Sequence, residues 1–76
     1  MDESMSIIFR LVDANKKDFT LELNQSELQH LKRWLNAITN KSAMIGDLQK
    51  YITENKITNK RRLLNKLHAD FVNLPE

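Results

Sequence analysis

Five basic side chains, Lys56, Lys60, Arg61, Arg62 and Lys66, fall in the run NKITNKRRLLNK with no carboxylate among them. Clustered cations of this kind meet a phosphate backbone, an acidic protein surface or only water. The rest of the chain is balanced differently. Residues 1–40 carry 5 Lys and Arg against 6 Asp and Glu, a net −1, and residues 41–76 carry 7 against 4, a net +3. Nearly all the positive excess therefore sits around this one segment.

The other residue types capable of chemistry are poorly spaced for it. His30 and His68 lie far apart in sequence and have no Cys or Glu neighbour at metal-ligand spacing. Asp70 stands two positions after His68, and side chains at i and i+2 of a helix point apart. Ser4, Ser6, Ser26 and Ser42 occur in no Gly-x-Ser-x-Gly turn, and a single glycine cannot form a phosphate-cradling loop. Asp47 and Glu54 are two helical turns apart. The expectation is a non-enzyme with no cofactor and no metal.

The elements that must position the cations can be read from periodicity. SIIFRLV (Ser6–Val12) and DFTLEL (Asp18–Leu23) alternate with a period of two, and Asp13-Ala14-Asn15-Lys16-Lys17 between them suits a turn. Keeping both apolar sets on one face sets Leu11 opposite Phe19 and Phe9 opposite Leu21, leaving Arg10 on the outer face opposite Thr20 and diagonal to Glu22. Asn24 and Glu27 fit a capping box, with Leu23 and Leu28 as the hydrophobic staple, opening a helix along Leu28, Leu31, Leu35 and Ile38 that ends near Thr39–Asn40. Ser42 is expected to cap a second helix to about Thr53, with Met44, Ile45, Leu48, Tyr51 and Ile52 on its apolar face and Gly46 inside it. Thr58 is expected to cap a third, running to about Asn73, with Lys60, Leu64, Leu67, Phe71 and Leu74 in one row and Leu63 beside it.

The reading is a small α+β domain of ββααα order spanning 1–76: residues 1–5 disordered, 6–23 the hairpin, 24–74 the three-helix part. The absence of cysteine excludes disulfide staples and thiolate metal sites and favours a reducing, cytoplasmic compartment. Apolar runs no longer than three residues exclude a transmembrane helix, and the acidic N-terminus MDESMS is not a signal peptide.

On this frame Lys60, Arg61 and Arg62 occupy the first turn of the third helix, where the macrodipole opposes cations by about 0.3–1 kcal/mol each. Stability alone would place Asp or Glu there, which favours a binding role. The expected partner surface is Lys60, Arg61, Arg62 and Lys66, with Arg10 on the hairpin and Trp34 on the first helix as further contacts. The expected partner is a protein with an acidic surface. Two alternatives are a DNA-binding regulator, with residues 43–72 as a helix-turn-helix-like segment, and a self-associating module forming a homodimer. In composition (short, rich in Lys, Asn and Ile, free of Cys) the chain resembles the small accessory proteins of phages and mobile elements. That resemblance implies a regulator or inhibitor that binds and blocks a host protein.

Overall fold

The computed structural model describes residues 5–40 and 45–75, so the proposed Ser42 cap, Met44 and all but Met5 of the 1–5 segment lie outside the described residues. Strand β1 (Ser6–Val12) pairs antiparallel with β2 (Asp18–Asn24), and helices α1 (Gln25–Thr39), α2 (Ile45–Glu54) and α3 (Lys60–Val72) follow, giving the expected ββααα order.

The hairpin register is Leu11 opposite Phe19, Arg10 opposite Thr20 and Phe9 opposite Leu21. It puts Leu11, Phe19, Leu21 and Leu23 into the core and leaves Ile8, Arg10 and Val12 outside. Asp13 builds the turn. Its buried carboxylate accepts the backbone N–H groups of Asn15 at 2.8 Å and Lys17 at 3.0 Å, and Lys16 takes the left-handed conformation at φ 63°. Asn24 and Glu27 form the capping box, the side chain of each accepting the other's backbone N–H. Leu28, Leu31 and Leu35 then enter the core, and Asn40 closes α1 in a left-handed conformation at φ 58°.

Helix α2 ends in a Schellman motif: the Ile57 N–H reaches the Ile52 carbonyl at 3.0 Å and the Lys56 N–H reaches that of Thr53 at 3.3 Å. Lys56 holds the left-handed position at φ 54°, where glycine is usual. Ile57 and Ile52 are both fully buried, supplying the apolar contact that accompanies this motif. Gly46 has open space where a Cβ would stand, so no close backbone approach explains it.

The cap of α3 corrects the sequence expectation. Asn59, not Thr58, is the N-cap, and its carboxamide oxygen accepts the Arg62 N–H at 2.8 Å from an extended backbone. Ile57 is locked into the core, the N-cap position follows two residues later, and Asn caps at least as well as Thr.

Helices α1 and α3 run parallel. Glu27, early in α1, meets Lys60 at the start of α3, and Trp34 further along meets His68 and Phe71. Helix α2 carries the chain back between them. Leu63 and Leu67 are the fully buried positions of α3, Leu64 sits at the rim of the core, and Phe71 is half-buried beside Trp34. Gln49 of α2 ties this layer to the hairpin: its side-chain amide accepts the Val12 N–H at 2.9 Å and donates to the Val12 carbonyl, as a neighbouring strand would.

Candidate functional site

Because the α3 cations follow one another on a helix, 100° apart, they cannot share one environment. Lys60 turns inward. Its Nζ lies 3.0 Å from Glu27 Oε2 and donates to the Glu22 carbonyl at 3.2 Å, joining α3 to α1 and β2. The Asn24 backbone N–H, and then Lys60, hold the Glu27 carboxyl below the usual carboxylate range. Lys60 is thus an internal tie that happens to be basic.

Lys66 forms an i,i+4 pair with Asp70 at 3.0 Å. The same carboxylate accepts the Tyr51 hydroxyl at 2.6 Å, so Asp70 joins α2 to α3. The Tyr51 hydroxyl, with help from Lys66, holds Asp70 below its ordinary pKa. Burial, and then the neighbouring carboxylate, push the Tyr51 phenol upward.

Arg61 and Arg62 remain exposed, and neither guanidinium meets a carboxylate among the described residues. They face different ways. Arg62 lines a shallow depression of about 310 Å³ together with Asn55, Ile57, Asn65 and Lys66. That lining offers two cations and two carboxamides beside one aliphatic side chain, suited to a carboxylate or a polypeptide backbone carbonyl. Arg61 lies on the flank of α3 shared with His68, towards α1.

Trp34 is half-buried at the centre of the α1–α3 seam. The His30 ring stacks on it with centroids 5.0 Å apart and planes 16° apart, His68 approaches from α3 at 4.9 Å, and Phe71 lies at 6.4 Å. The Arg33 guanidinium stands 5.6 Å from the Phe71 centroid, in cation–π range. Trp34 therefore both completes the core rim and anchors an aromatic and basic strip that sequence reasoning missed. The i,i+4 spacing of His30 and Trp34 was visible in the sequence. The arrival of His68 and Phe71 depends on the parallel packing of α1 with α3, which no local pattern encodes.

Arg10 stands apart from these groups, exposed on the outer face of the hairpin. The structure thus brings Arg62 and Lys66 together, diverts Lys60 into the fold, and places Arg10 and Trp34 on separate surfaces. Among the described residues no cluster of three or more His, Asp or Glu could hold a metal ion, and no helix is long and apolar enough to cross a membrane. The chain matches no protein-family model, no curated protein and no solved structure.

Proposed function

We propose that the chain is a small non-enzymatic binding protein, a regulator or inhibitor that docks on an acidic protein surface through the exposed side of α3. The observation that carries this reading is the pair Arg61 and Arg62. They stand in the first turn of a helix, where the dipole disfavours them, and they have no internal carboxylate among the described residues. Lys60, a neighbour in the same turn, is engaged at 3.0 Å with Glu27, so the fold accounts for that cation and leaves the other two to a partner. The depression beside Arg62 and the Trp34 strip on the other flank supply the aromatic and amide contacts that strengthen a protein interface at its centre.

The test is affinity capture from the cell of origin, with and without nuclease, comparing the wild type with an Arg61→Ala/Arg62→Ala variant that keeps Lys60. A protein recovered after nuclease treatment and lost with the double variant supports the reading. Recovery that disappears with nuclease points to the nucleic-acid alternative, which also demands a steep fall in affinity with salt. A protein retained equally by both variants shows that this face is not the contact.

A further inference from the structure

We propose that β1 is a dimerisation edge, along which two copies of the chain pair antiparallel about a two-fold axis at Ile8. The hairpin register and the turn determine which backbone groups are free. Asp13 and Lys17 are hydrogen-bonded across the turn, and the outward groups of Val12 are met by Gln49. The alternation of an antiparallel ladder then turns the N–H and C=O of Arg10, Ile8 and Ser6 away from β2. No described residue bonds these groups. The other edge is partly engaged, since the Glu22 carbonyl receives Lys60 and the Asn24 N–H is held by Glu27, which leaves a shorter free stretch around Thr20. Gln49 closes the free edge of β1 at Val12, which confines the open stretch to Ser6–Arg10.

That stretch complements itself. An axis at Ile8 sets Ser6 of one copy opposite Arg10 of the other, and every outward N–H meets an outward carbonyl. On the solvent face, Ile8, 57% exposed in the monomer, meets its own counterpart. Arg10 of the second copy arrives beside Ser6, whose hydroxyl already donates to the Glu22 carboxylate at 2.9 Å. Arg10 has no carboxylate of its own among the described ion pairs, so the pairing brings an unmatched cation towards an available anion, twice by symmetry. On the core face the same register sets Ile7 against Phe9. These are the two inner-face residues that the helices leave partly exposed, whereas Leu21 and Leu23 on β2 are fully buried. The product is a continuous sheet with twice the two strands of the monomer. That removes an open edge and extends a hairpin that is marginal alone.

The chain contains no cysteine, so a single introduced thiol reports the register. Directly opposed residues of a hydrogen-bonded antiparallel pair lie about 5.5 Å apart at Cα, within disulfide range. Under mild oxidation Ile8→Cys is expected to form a covalent dimer rapidly, and Thr20→Cys, on the same face of β2, is not. By sedimentation the wild type is expected to show a concentration-dependent dimer. Ile8→Pro deletes only an outward N–H and weakens that dimer by at least about tenfold. Ile8→Lys, which leaves the ladder intact and places like charges on the axis, does the same should the proline variant fail to fold. A wild type that stays monomeric at high concentration overturns the proposal. So does a dimer unaffected by Ile8→Lys, or equal cross-linking of Ile8→Cys and Thr20→Cys.

Discussion

Replacing each cation of the α3 first turn by alanine should change stability in opposite directions within three consecutive residues. Lys60 loses its 3.0 Å pair with Glu27, whose side chains are 42% and 28% exposed, and its 3.2 Å bond to the Glu22 carbonyl. A pair so open to water is worth ~0.5–1 kcal/mol, and the long bond to the carbonyl adds up to ~0.5 kcal/mol. Relief of the dipole returns ~0.3–0.5 kcal/mol. Lys60→Ala should therefore destabilise by up to ~1 kcal/mol and about half that at the centre of these ranges, lowering Tm by about 2–4 °C at that centre for a domain of this size. Arg61→Ala and Arg62→Ala lose no internal partner and should stabilise by ~0.3 kcal/mol or more each at low salt. Urea unfolding at low salt measures all three. Repeating it near 1 M salt, where the screening length is about 3 Å, should bring the values together. Crossing Lys60→Ala with Glu27→Gln, which keeps an acceptor for the capping box, isolates the coupling between the two side chains. A Lys60→Ala protein as stable as the arginine variants, or a coupling near zero, would refute the division of the cluster into one structural and two available cations.

Further outcomes follow from backbone and titration. Lys56→Gly should raise stability by about 1 kcal/mol by removing the left-handed penalty at φ 54°, and Gly46→Ala should add up to about 1 kcal/mol because its Cβ meets open space; thermal unfolding reads both. The depressed carboxyls of Glu27 and Asp70 mean that the unfolded chain binds more protons in acid. Their contribution is complete above the ordinary carboxylate pKa of about 4 and is lost as pH falls through the folded values. Tyr51→Phe removes the main cause of the Asp70 depression, so urea midpoints for that variant should fall less steeply below about pH 4 than those of the wild type.

Local rules carried most of the fold into view. Two strands with a period of two and one apolar face each restrict the register to slips of two residues, the short turn at 13–17 selects one of these, and Asn24 with Glu27 marks the start of α1 without tertiary help. The failures share a cause. Ile57 is an isolated apolar residue in a polar connection, so no periodicity marks it, although it is fully buried just before Asn59, which rather than Thr58 caps α3. Lys60 falls in the row of Leu64 and Leu67, so its inward side is legible in the sequence, but its carboxylate partner, 33 residues away, is not. The basic cluster itself was legible in the sequence. Its partition into tie, pair and exposed arginines required the helix packing.

The parallel arrangement of α1 and α3 also has a consequence for the entropy of folding. The hairpin closes over the five residues of its turn, whereas the contact of Glu27 with Lys60 closes a separation of 33. Chain entropy makes the second closure about 1.5–2 kcal/mol more costly than the first. On this ground α3 is expected to dock after the hairpin and the capped start of α1 have closed, an order that transition-state mutagenesis of the hairpin and of α3 would check. Trp34, placed on α1 but packed by residues of α3, acquires its surroundings in that last step. Its fluorescence should therefore report the docking of α3 directly, and the surface it anchors exists only once that contact is made.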